Sequence, residues 1–153
     1  MEYLGKIKSR DIYYIHLDDI ENLNINDLPN QNWLAFVFSN EDRPEIIKKV
    51  AEICVLRNFL YLCSTGKAYE LIHAIFDEVI VDNLYNLKNS KIDKDILTVG
   101  GSDFNKEFWF SIWVAHHPYK DINSIVCIDM GLHKKEEIRD LMNQINLGWV
   151  PNE

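Results

Sequence analysis

Trp33-Leu34-Ala35-Phe36-Val37-Phe38 runs into the polar turn Ser39-Asn40-Glu41-Asp42, and Ile46, Ile47, Val50, Ala51, Ile53 and Cys54 follow at helical spacing. Six consecutive apolar residues do not alternate with polar ones, so the run reads as a strand covered on both faces. Asp42 offers a side-chain cap for the helix that follows, Pro44 suits its first turn, and Asn58 is placed to end it. The same unit recurs three times. Phe59–Cys63 leads into Ser64-Thr65-Gly66-Lys67, Ile96–Val99 into Gly100-Gly101-Ser102-Asp103, and Ser124–Ile128 into Asp129-Met130-Gly131. Strand, turn and amphipathic stretch in alternation predict parallel strands covered by helices.

Outward from these runs, the spacing predicts a second helix from Lys67 to Phe76, with Glu78–Asp82 open between helix and a short extra strand because β-branched residues dominate it. Asn83–Asp95 is polar and reads as a surface loop. A third helix, from about Asp103 to His116, is apolar almost all round and is stopped by Pro118; a fourth, Lys134 to Asn146, carries Ile138, Leu141, Met142 and Ile145 and is closed by Gly148. Residues 1–30 read as an irregular N-terminal arm or edge strand, with Ile12–Leu17 the extended part and Asp18–Asn30 a loop. The expected fold is one α/β domain over residues 1–153. It is three-layered and Rossmann-like or flavodoxin-like, with a mostly parallel sheet of four to five strands, helices on both faces and an N-terminal extra strand or arm.

The 153 residues are 47% hydrophobic and 26% charged, enough to bury a core without metals or disulfides. The three cysteines, Cys54, Cys63 and Cys127, all lie in apolar stretches and read as buried hydrophobes of a reducing compartment. No apolar run approaches the ~18 residues that would span a bilayer, and the first residues lack the apolar core of a secretory leader. A cytoplasmic protein without membrane partners is expected. The net charge of −8 repels phosphate backbones, which disfavours nucleic acid, and suits a basic protein partner.

In a parallel sheet, ligands bind outside the carboxyl ends of the strands, so the four turns are where chemistry would sit. They supply Asp42, Thr65, Gly66, Lys67, Gly100, Gly101, Asp103 and Asp129 as candidate ligand-binding residues. Helix N-termini there favour an anion, to which Lys67 adds charge. Ser64-Thr65-Gly66-Lys67 lacks the first glycine and the following hydroxyl residue of a phosphate loop, and Gly100-Gly101 lacks a dinucleotide fingerprint. Asp42, Asp103 and Asp129 could converge on magnesium, but helix capping accounts for two of them with less. His116 and His117 are adjacent, about 100° apart on a helix, and therefore poor partners for one metal; one of them suits the helix C-terminus. No catalytic residue, cofactor or metal site is expected.

Leu60-Tyr61-Leu62-Cys63-Ser64-Thr65-Gly66, then Asp77, then Phe108-Trp109-Phe110 through Ala115-His116-His117-Pro118 resemble an uncharacterised family of small bacterial α/β proteins. In it an L-Y-M-x-A-W-G stretch precedes an acidic helix, and an F-W-F-x-x-x-x-A-x-H-P helix follows a T-x-W-H turn. The resemblance spans roughly Phe36 to Asp129. Asp77 and His117 fall on matching positions, whereas Thr65 replaces the family's tryptophan, His73-Ala74 its paired aspartates and Val99-Gly100-Gly101 its Trp-His turn. The resemblance implies a bacterial α/β domain, in which any active site that those polar residues form in relatives is lost in this chain.

Two functional readings follow. The first is a non-catalytic protein-binding module, an immunity or antitoxin-type protein that neutralises a basic bacterial toxin. The second is a small-ligand or nucleotide-binding enzyme that uses the crevice at the strand carboxyl ends.

Overall fold

The computed structural model describes residues 1–17, 23–85 and 95–152, so residues 18–22 of the expected Asp18–Asn30 loop and 86–94 of the expected Asn83–Asp95 loop lie outside the described residues, while Asn83–Tyr85 of the second are helical. Six strands form one sheet in the order β1-β2-β6-β3-β4-β5. They are β1 (Glu2–Ile7), β2 (Arg10–His16), β3 (Trp33–Phe38), β4 (Tyr61–Thr65), β5 (Leu97–Gly100) and β6 (Ser124–Asp129). Among the described strands only the β1–β2 pair is antiparallel; β2–β6, β6–β3, β3–β4 and β4–β5 are parallel. The helices are α1 (Pro44–Leu56), α2 (Tyr69–Tyr85), α3 (Phe104–Trp113) and α4 (Lys135–Asn146).

Two apolar clusters flank the sheet, and the alternation of side chains assigns each strand residue to one of them. Trp33, Ala35, Val37, Leu62, Val126 and Ile128 pack under α1 and α2. Leu34, Phe36, Phe38, Cys63, Ile125 and Cys127 pack under α3 and α4. All six residues of β3 are fully buried, as its unbroken apolar run requires. α1 and α2 carry the chain from β3 through β4 to β5. The connection through α3 then returns past β4 and β3 to β6. A right-handed crossover that reverses direction must change faces, which is why α3 lies opposite α1 and α2.

The expected N-terminal strand is present, with β1 at the sheet edge, but the segment is a hairpin and β2, which covers most of the expected extended part, is an interior strand, which brings the described sheet to six strands rather than four to five. Ile12 and Tyr14 face the α3–α4 cluster while Ile15 faces the α1–α2 cluster, so the run Ile12-Tyr13-Tyr14-Ile15 has the two-sided burial of a central strand. The second helix is longer than its apolar spacing indicated. Glu78–Asp82 is helical, because Val79 and Ile80 both reach the core beneath α2. β4 runs two residues past Cys63, so Ser64 and Thr65 are buried strand residues and not turn residues. α3 stops at Trp113 instead of His116. Asn58, with φ 57°, and Gly148, with φ 96°, end their helices in the left-handed conformation as expected.

Candidate functional site

β3 and β6 are neighbours whose chains leave towards opposite faces, so the sheet's topological switch point lies between their carboxyl ends. A cleft of about 370 Å³ opens there, lined by Asn40, Glu41, Met130, Gly131, Leu132 and Lys134. A second, of about 230 Å³, shares Asn40, Leu132 and Lys134 and adds Gly66, Lys67, Ser102 and Phe104. Lys134 Nζ stacks 5.0 Å over the Phe104 ring and pairs with Glu137 at 2.7 Å.

Most of the polar groups at this end are engaged by the fold. Asp129, fully buried, accepts from the Tyr14 hydroxyl and from the backbone N–H groups of Leu132 and Lys134, each at 2.7 Å. Burial and this carboxylate together push the Tyr14 hydroxyl's pKa well up. Asp103 caps α3 by accepting from the Lys106 N–H at 3.2 Å. Asn40 Oδ1 accepts from the Lys67 N–H at 3.0 Å. Gly66, at φ +88°, crosses so close to β3 that an added Cβ would lie 2.3 Å from Ser39 O, so this turn demands glycine. Thr65 is buried and its hydroxyl has no hydrogen-bond partner among the described residues.

Asp42 does not cap α1: the N-cap position is Arg43, whose side chain makes no capping bond, because Pro44 fixes the helix start one residue beyond the aspartate's reach. Asp42 is exposed. Among the described residues no group of three or more His, Cys, Asp or Glu side chains is placed to hold a metal ion, so Asp42, Asp103 and Asp129 do not converge.

A second polar cluster lies at the β5 edge, and it contains Asp77. Thr98 donates its hydroxyl to Asp77 Oδ1 at 2.8 Å, and its oxygen lies 3.0 Å from His73 Nε2. With the Thr98 proton committed to Asp77, His73 must donate through Nε2. The i, i+4 spacing of His73 and Asp77 puts both on one face of α2 and was a readable signal. Glu107 of α3 lies across the sheet, its Oε1 2.3 Å from where a Cβ on Gly101 would sit. Gly101 therefore leaves room for a carboxyl group that is half-buried, and burial raises the pKa of that group. No sequence signal marked Glu107.

His117 is held in place by two hydrogen bonds of its ring. Its Nδ1 accepts from the Tyr119 N–H at 3.2 Å and its Nε2 donates to Asp95 O at 2.9 Å, which ties the approach to β5 to the loop after α3. His116 touches the C-cap carbonyl of α3 through Nδ1, 3.1 Å from Val114 O. The main support of that helix end comes from Arg10, whose guanidinium donates to Ser111 O and Ala115 O. Cys63 is buried and its thiol pKa is driven well up by desolvation, the opposite of an activated nucleophile. No described helix is long and apolar enough to cross a membrane.

The six described strands, mostly parallel, and the four described α-helices define an α/β protein whose switch-point groups Asp129, Asp103 and Asn40 are engaged in the fold's own hydrogen bonds. The chain belongs to the DUF7684 family, a domain of unknown function, whose model matches residues 12–145. No curated protein and no solved structure matches it.

Proposed function

We propose that this chain is a non-catalytic protein-binding module of the bacterial cytoplasm, an immunity or antitoxin-type protein that neutralises a basic toxin. The observation that carries the reading is the charge of α2: every charged side chain on it, Glu70, Asp77, Glu78 and Asp82, is acidic, and Val81 stands 47% exposed among them. A surface with acids around an exposed apolar side chain suits a cationic protein. The engagement of Asp129, Asp103 and Asn40 in the fold's own hydrogen bonds supports the same reading, since it leaves little convergent chemistry at the strand ends. On this view the scaffold is Rossmann-like, in three layers, and serves to present α2.

The test co-expresses the chain with the protein encoded immediately upstream of its gene in a bacterial host. Rescue of growth is expected, together with a complex that weakens with salt and on Glu78→Lys and Asp82→Lys. An upstream product that is harmless or does not bind would overturn the proposal.

One observation favours a small-anion reading as a second: Lys67 and Lys134 both line the smaller cleft. Titration with inorganic phosphate, followed by the amide signals of Lys67 and Lys134, tests it; unchanged signals refute it.

A further inference from the structure

The two edges of the sheet are built differently. β1 carries a register shift between Tyr3 and Gly5, and Glu2 and Lys6 on it are held in ion pairs to α4 and to Asp11. A bulge and charges are the devices that stop an edge from pairing with another chain. β5, Leu97-Thr98-Val99-Gly100, has no charge, no proline and no bulge, and Leu97 is 37% exposed.

The hydrogen-bond phase of β5 follows from its partner. Leu97 N–H donates to Leu60 O at 3.2 Å and Gly101 N–H to Ser64 O at 3.1 Å. Alternation along a strand then directs the N–H and C=O of Thr98 and Gly100 outward, and no described strand pairs with them. Carboxylates flank this edge on both faces. Asp77 stands over Thr98 on the α2 face, and Glu107 lies under Gly101 on the α3 face.

We propose that β5 is a docking edge for an extended basic segment of the partner, which adds a seventh strand and places one cationic side chain against Asp77 and another against Glu107. The proposal rests on the basic-partner reading above and specifies where that partner binds. Its spacing is fixed. Thr98 and Gly101 are three residues apart, about 10 Å along a strand, and an odd separation puts two side chains on opposite faces. The segment therefore carries Lys or Arg at positions i and i+3, with uncharged β-formers between them. Main-chain bonds supply the attachment, and the two carboxylates select the sequence.

The probe is a capped heptapeptide, Thr-Arg-Val-Thr-Arg-Val-Thr, added to the isotopically labelled full chain at low salt. Hydrogen exchange of the Thr98 and Gly100 amides is expected to slow about tenfold or more at saturation, while the rest of the sheet is unchanged. The same peptide N-methylated at alternate residues keeps its charges and is expected to bind about tenfold more weakly. The double variant Asp77→Asn/Glu107→Gln, whose side chains keep their shapes, is expected to lose the salt dependence of binding. Equal affinity for the methylated peptide, or binding that leaves the two amides exchanging freely, overturns the proposal. If the upstream product forms a salt-sensitive complex in which these amides stay unprotected, the docking edge is wrong and the basic-partner reading stands. If the peptide protects the edge and the upstream product does not bind, the toxin reading falls and the edge stands.

Discussion

Removing the Asp129 carboxylate separates a structural role from a ligand-binding one. Three donors converge on it at 2.7 Å: one hydroxyl, from buried Tyr14, and two backbone N–H groups, of Leu132 and Lys134, in a half-buried loop. A buried donor left without a partner costs about 1–3 kcal/mol. Leu132 and Lys134 lie in a half-buried loop, so each amide takes the low end, about 1 kcal/mol, and the buried Tyr14 hydroxyl about 2 kcal/mol. Asp129→Ala is then expected to cost about 4 kcal/mol. Asp129→Asn keeps the shape but turns one acceptor oxygen into a donor that faces a donor, for about 2 kcal/mol; Tyr14→Phe leaves the carboxylate two partners and costs about 1 kcal/mol. At about 2–4 °C per kcal/mol for a chain of this size, Asp129→Asn should lower Tm by about 4–8 °C. Urea unfolding followed by tryptophan fluorescence measures all three, and the midpoint should move with the slope unchanged. The order Tyr14→Phe, Asp129→Asn, Asp129→Ala is the diagnostic. Asp129 variants within about 0.5 kcal/mol of the parent would refute the reasoning and leave the carboxylate at the switch point free for ligand chemistry.

Two further outcomes follow from other buried polar groups. Arg10→Met keeps the aliphatic stem but removes both donors from Ser111 O and Ala115 O; a loss of about 2 kcal/mol is expected, with faster amide exchange confined to the last turn of α3 and partial recovery in Arg10→Lys. Burial holds the Glu107 pKa above its ordinary value of 4.5, so the folded chain binds this proton more tightly than the unfolded chain does. Its contribution to stability is therefore greatest below that value and falls as pH rises through the interval up to the raised pKa. Glu107→Gln should flatten this part of the profile and raise stability at neutral pH, read as urea midpoints between about pH 4 and pH 8.

The parallel core was legible because β3 and β6 are buried on both faces, and two-sided burial writes an uninterrupted apolar run. β2 has the same property in Ile12-Tyr13-Tyr14-Ile15, yet two tyrosines and flanking charges make it resemble an edge. Its interior place depends on β6, more than a hundred residues away, and local pattern carries no trace of that partner. Glu78–Asp82 misled for the opposite reason. β-branched side chains favour strands in general, but here they complete the buried face of a helix. At the candidate site, Asp103 was readable as a cap from its position before α3, since capping is local. The contacts of Asp129 with Tyr14, of Thr98 with Asp77 and of Arg10 with α3 each join residues far apart in sequence, and only the folded chain brings them together.

The strand order also sets a schedule. Apart from β1, the sheet partner of β2 is β6, and β6 sits between β2 and β3. As the chain leaves the ribosome, β3, β4 and β5 can pair in turn, while the hairpin at residues 2–16 waits with the apolar faces of Ile12, Tyr14 and Ile15 uncovered until residues 124–129 emerge. β6, made after the other five described strands, is thus the one that seats β1 and β2 in the sheet.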